Sequence, residues 1–146
     1  GMMVFMVRRL LRNRRSCFKM RVAISAAIIE NKKILLVRKK ITWILPGGKP
    51  LSGESDIDCL NREISEELSG TKIKEIEYYG TFSGETPHKK DLLEARVYFA
   101  KINGKLFIPS AEIEEMVVTS SPLEYNLSDI TEKVIVSLRR EDYLNF

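Results

Sequence analysis

The sequence lacks what would place it among disulfide scaffolds, membrane proteins or low-complexity chains. Its 146 residues include two cysteines, Cys17 and Cys59. Two do not make the framework that holds a small secreted domain together, so both read as reduced thiols, Cys59 as a packing residue. No apolar run approaches the 18 or so residues that a spanning helix needs. Together these absences point to a cytoplasmic protein. The single histidine, His88, stands in a polar loop and is assigned no role. There is no repeat, linker or biased stretch. The chain is 44% hydrophobic, which suffices for one domain with a full core at a length too short for two.

Acidic residues are missing from one end. Residues 1–21 hold Arg8, Arg9, Arg12, Arg14, Arg15, Lys19 and Arg21 and no Asp or Glu, a charge of +7. The other 125 residues carry 17 bases and 20 acids, which brings the whole chain to +4. The basic balance therefore belongs to an N-terminal arm, 1–20, and not to the domain expected over 21–146. In the arm the apolar part, Met2–Val7, precedes the charges, the reverse of a signal peptide. Met20 reads as an alternative start. The arm is expected to pack on the domain or on a neighbouring copy, as in a homodimer. Nucleic acid or an anionic surface is the other partner that such charge suits.

What the chain does have is a dense stretch from Gly48 to Gly70. Gly48-Lys-Pro-Leu-Ser-Gly-Glu54 reads as a glycine-rich turn. Ser55 is a good N-cap, Asp58 three residues on makes a variant capping box, and Asp56 suits the positive end of the helix dipole. At about 100° per residue Ile57, Leu60, Ile64 and Leu68 form one stripe. Glu63, Glu66 and Glu67 are placed on another, roughly a quarter-turn or more away. Like charges at that spacing are destabilising by about 0.2–0.5 kcal/mol per pair. Either this is a solvated acidic face, or the carboxylates hold a hard divalent cation that turns repulsion into attraction.

The spacing resembles a known family. Gly48, five residues, Glu54, seven residues, then Arg62-Glu63-Ile64-x-Glu66-Glu67 is similar to the Nudix box of the Nudix hydrolases, with Trp43-Ile-Leu-Pro46-Gly47-Gly48 as a typical lead-in. The family usually has glycine two residues after the Glu-Glu pair and then an aliphatic residue. Here Ser69-Gly70 stands there, and the helix stop is expected one residue later.

The remaining elements follow from pattern. Arg21–Glu30 and Lys33–Arg38 are rich in β-branched residues and flank Asn31-Lys32, a hairpin signal. Trp43–Leu45 reads as a short strand, and Ile73–Phe82 and Leu92–Lys101 as two longer ones. Asn103-Gly104 predicts a second hairpin into Lys105–Ile108. Ser110–Glu115 reads as a short helical turn and Met116–Thr119 as a strand. Ser128–Arg140 predicts an amphipathic helix with Ile130, Val134 and Leu138 on one face. This α+β order, with a mixed sheet between helices, agrees with the α/β/α sandwich that the resemblance implies.

The resemblance also implies chemistry, namely Mg²⁺- or Mn²⁺-dependent hydrolysis of a nucleoside diphosphate linked to another moiety, a nucleoside triphosphate included, by water attack on phosphorus. The expected metal ligands are Glu63 and Glu67, with the Gly47 carbonyl beside them. Glu66 is a further ligand or the group that deprotonates the water. Arg62 and Glu54 orient these carboxylates, and Gly48 supports the turn. The family often recruits one more acid from outside the box. Glu94 is the leading candidate, with Glu85 and Asp91 behind it. Arg38, Lys39, Lys40 and Lys49 lie near the glycine turn and can meet phosphates. The competing reading is a catalytically silent Nudix-fold protein that binds a nucleotide or RNA.

Overall fold

The computed structural model describes residues 20–86 and 91–146. The readings made above for residues 1–19, Cys17 included, and for His88 lie outside the described residues. Strands β1 (Arg21–Glu30) and β2 (Lys33–Lys39) form the expected hairpin. Asn31 and Lys32 sit at φ 52° and 60°, the paired left-handed conformation of a two-residue turn whose twist matches that of the strands. β3 is Thr42–Ile44 and β4 is Gly47–Gly48. Helix α1 spans Asp56–Glu67, β5 Lys72–Glu85, β6 Leu92–Asn103, β7 Glu115–Thr119 and α2 Asp129–Arg140.

The strands make a mixed sheet in which β1 is central. It runs parallel to β6 from Arg21 to Ile28, and β6 in turn runs antiparallel to β5. On its other edge β1 pairs with β2 only at Ile29 and Glu30. β2 then diverges to pair with β3 and β7. Into that gap comes β4, with Gly47 opposite Ser25 and Gly48 opposite Ile24. The glycine turn is thereby laid against the middle of the sheet. A Cβ at Gly47 would overlap the Ile24 carbonyl, and its φ of 144° is one that L side chains rarely adopt, so glycine is required there.

Strand alternation gives the two cores. Ile24, Ala26 and Ile28 of β1 pack with Cys59, Leu60, Ile64 and Leu68 of α1, whereas Ala27 joins Val97, Ile130, Val134, Ile135 and Leu138 on the α2 side. A helix on each face of the sheet is the sandwich expected.

Two expectations fail in the segment between β6 and β7. Lys105–Ile108 is not a strand. The chain leaves the sheet at Gly104, and the Phe107 N–H donates to the Thr71 hydroxyl, which carries the segment across the end of α1. Ser110–Glu115 holds only a turn at Ala111 and Glu112.

Both ends of α1 explain its length. The Ser55 hydroxyl accepts from the Asp58 N–H at 3.1 Å, as its N-cap position predicts. At the other end the stop is not displaced. Ser69 itself takes the left-handed position at φ 43°, Gly70 follows at 84°, and the Gly70 N–H donates to the Ser65 carbonyl at 2.7 Å, the six-to-one bond of a Schellman stop. Serine carries a steric penalty there that glycine lacks. Ser69→Gly should therefore stabilise the protein by about 0.5 kcal/mol, because relief of strain exceeds the added freedom of the unfolded chain. Urea denaturation measures it, and a less stable variant would refute the strain.

Candidate active site

The helical wheel assigns the three box glutamates different depths. Taking about 100° per residue, Glu67 lies only about 20° from Leu60, Glu63 about 60° and Glu66 about 120°. Glu67 thus belongs to the buried side and does not lie a quarter-turn from it. Its relative exposure is 9%, against side-chain exposures of 18% for Glu63 and 55% for Glu66. Ile57, expected in the core, is half-exposed, and the buried stripe begins at Cys59 and Leu60. The Cys59 thiol is pushed up to about 11, chiefly by burial, in keeping with a packing role.

Arg62 ties the box together. Its Nε and Nη2 donate to the two Glu54 oxygens at 2.8 and 2.9 Å, its Nη1 donates to Glu63 at 2.9 Å and Glu66 at 3.4 Å, and its Nη2 also reaches the Lys49 carbonyl at 3.0 Å. Glu54 further accepts from the Leu51 N–H at 3.0 Å. Held by Arg62 first and that amide second, its carboxyl titrates at about 2. This two-pronged fork clamps the turn to the helix. At the N-terminal end of the helix the Asp56 carboxylate accepts from the Tyr98 hydroxyl at 2.6 Å and lies 3.3 Å from Arg96 Nε, which fixes α1 over β6.

The Glu67 carboxylate accepts from the Gly47 N–H at 3.3 Å. Burial pushes it up to about 8; the Gly47 amide opposes this and the neighbouring Glu63 charge adds to it. Glu63 rests against Gly48, where any Cβ would overlap its carboxylate. Gly47, Gly48, Glu63, Glu66 and Glu67 all line one cavity of about 410 Å³, roofed on the far side by Ile130 and Thr131 of α2. The carboxylates do not converge on a single point: among the described residues no three acidic, histidine or cysteine side chains are gathered as a ready cluster. Glu63 and Glu66 turn instead toward Arg62, and Glu67 toward Gly47.

The other candidates divide. Glu94 is outside the cavity, which its β6 neighbours Leu93 and Ala95 line, because alternation turns it to the opposite face with Arg96. Asp91 pairs with Arg21 at 3.3 Å. Arg38 is committed to Glu114 at 2.6 Å, Glu115 at 3.0 Å and the Lys40 carbonyl at 2.7 Å. Lys49 is exposed and does not line the cavity, whereas Lys40 lines an adjoining groove of about 360 Å³. The cavity does hold Lys39 and Glu112, which pair at 2.5 Å. Glu112 carries no site signal in the sequence, where Ser110–Glu115 reads as a short helical turn. Nor does Ser110, whose N–H donates to the Glu67 carbonyl at 2.7 Å and whose hydroxyl donates to the Glu66 carbonyl, satisfying the end of α1.

Residues 19–135 match the family model described as the NUDIX domain. The chain belongs to the Nudix family. It is accordingly a hydrolase acting on pyrophosphate bonds, of a family whose members generally use divalent cations. Solved Nudix structures share its fold. A protein from Chromobacterium violaceum assigned to the nudix hydrolase family is 27% identical, with a TM-score of 0.67 over 84% of this chain and 78% of that one. A MutT NUDIX hydrolase from Burkholderia pseudomallei is 25% identical, with a TM-score of 0.65 over 83% and 97%. A UDP-X diphosphatase is 24% identical, with a TM-score of 0.69 over 84% and 64%. No curated protein matches the chain at a significant level. No helix among the described residues is long and apolar enough to cross a membrane.

Proposed function

We propose that this Nudix protein hydrolyses the pyrophosphate bond of a nucleoside diphosphate linked to another moiety, nucleoside triphosphates included, with Mg²⁺ or Mn²⁺ as cofactor. One observation carries the reading: the box carboxylates and the Gly47-Gly48 turn wall a single cavity, with a buried acid, Glu67, that has one amide partner there. The donor set fits a hard divalent cation, which takes carboxylate and carbonyl oxygens.

Glu63 and Glu67 are the proposed ligands, with Glu66 and the Gly47 carbonyl beside them. Such an ion, when bound, polarises a phosphoryl oxygen and lowers the pKa of water. Glu66, the most exposed of the three and held by Arg62 only at 3.4 Å, is free to orient a water and accept its proton, a role worth about 10²–10⁴ in rate. Arg62, anchored by Glu54, fixes the directions of Glu63 and Glu66 and touches no substrate. Lys40 stays a candidate substrate contact. Arg38 and Lys49, engaged elsewhere or off the cavity, do not, and neither does Glu94.

The test is a panel of nucleoside diphosphate derivatives with Mg²⁺ or Mn²⁺, scored for release of phosphate or pyrophosphate. At least one compound should turn over. Metal should also raise the melting temperature, by the equivalent of about 2.7 kcal/mol at a hundredfold excess over Kd. No release from any compound would overturn the hydrolase and leave the silent binder. An unmoved melting curve would remove the metal site.

A further inference from the structure

Resting on that reading, we propose that Lys39 is the residue that grips the substrate's phosphates and that Glu112, from the β6–β7 loop, holds it aimed at them. Among the described residues that line the cavity, Lys39 is the only cation, and the other charged side chains are Glu63, Glu66, Glu67 and Glu112. A polyphosphate entering among four carboxylates needs a positive partner, and alternation along β2 turns Arg38 away, toward Glu114 and Glu115.

The lysine ammonium is half-exposed and sits 2.5 Å from the Glu112 carboxylate. It has three N–H donors, so one can stay on Glu112 while two reach phosphate oxygens. A free lysine side chain is flexible, and ordering it only on binding would weaken binding. Glu112 does that ordering beforehand. It also gives Lys39 a partner other than the box carboxylates, which an unheld lysine would seek out and neutralise.

The loop is built to keep Glu112 in place. Ser110 is bonded to the Glu66 and Glu67 carbonyls on one side; on the other, Ile113 is buried and the Glu114 N–H donates to the Arg38 carbonyl at 3.0 Å. Between them Ala111 has a φ of 54°, a left-handed conformation unfavourable for alanine. Such a residue persists where the surroundings over-determine it, commonly at functional sites.

Steady-state kinetics on the best compound of the panel, with calorimetric binding of inorganic pyrophosphate in Mg²⁺, separate the alternatives. Lys39→Met should raise KM and weaken pyrophosphate binding by about tenfold or more, with kcat within about threefold, and Lys39→Arg should restore most of both. Glu112→Gln should raise KM by a smaller factor. The double variant should bind no worse than Lys39→Met alone, since Glu112 acts through the lysine. Unchanged pyrophosphate binding in Lys39→Met would overturn the proposal. So would a fall in kcat of two decades at constant KM in Glu112→Gln, which would make Glu112 the proton acceptor instead. If no compound turns over but Lys39→Met still loses pyrophosphate, Lys39 grips phosphate and the hydrolase reading alone fails. Because Lys39 and Glu112 lie at the surface, both variants should melt close to the parent.

Discussion

Replacing Glu67 by Gln should lower turnover by about 10²-fold or more and at the same time make the metal-free protein more stable at high pH. The first half follows from losing a charged ligand beside Glu63. The second follows from the burial that pushes the Glu67 carboxyl up to about 8 from its ordinary 4.5. A group whose pKa is raised on folding favours the fold in its protonated form. Its contribution is therefore complete below about pH 4.5 and is lost as pH rises through about 8. Glutamine keeps the neutral shape and cannot ionise. In EDTA, the urea midpoint of the parent should fall between pH 5 and 8.5 by more than that of Glu67→Gln. Mg²⁺ should offset that fall in the parent and not in the variant, because the cation binds the ionised carboxylate and displaces its proton. Parallel pH dependences in the two proteins would show that Glu67 is not buried as described.

The adjacent glycines should separate stability from activity. Gly47→Ala is expected to cost roughly 3–5 kcal/mol, since its Cβ would overlap the Ile24 backbone and its φ of 144° is foreign to alanine. Neither obstacle can move without parting β4 from β1. At Gly48 the three atoms nearest an added Cβ all belong to the Glu63 carboxylate, the far end of a flexible side chain. Gly48→Ala should fold with a loss of about 1 kcal/mol or less yet turn over about 10- to 100-fold more slowly, because Glu63 must leave the position that Arg62 holds. Circular dichroism with urea, beside kinetics on one compound, distinguishes them. A stable Gly47→Ala would contradict the close β4–β1 approach, and a fully active Gly48→Ala would contradict a role for Glu63 where it stands.

Much of the fold was legible because local rules govern it. The Asn31-Lys32 hairpin, the Ser55 cap and the apolar faces of both helices are set by residues within a turn or two of each other. The failures share a different cause. Lys105–Ile108 has strand character, but its Phe107 N–H donates to the hydroxyl of Thr71, a residue distant in sequence. Glu94, the acid favoured for its type and its place after a loop, stands between Leu93 and Ala95, which line the cavity, and does not line it itself. Ser69 was expected to pass the left-handed position on to Gly70. The bonds that Ser110 makes at the end of α1 hold the stop at Ser69 despite its side chain.

Carboxylates at positions 63, 66 and 67, a fork-forming arginine beside them and glycines ahead of them were all present in the order of residues, and with them the family and the class of chemistry. A helix repeats every 3.6 residues whatever surrounds it, so such spacing carries its meaning locally. Assembly of the sheet settled which lysine meets the cavity and which distant glutamate pairs with it. Lys39 and Glu112 are far apart along the chain and meet because β2 pairs with β7. Pairing across that distance is selected by burial on both faces of the sheet, a property of the whole molecule that no short stretch of residues contains.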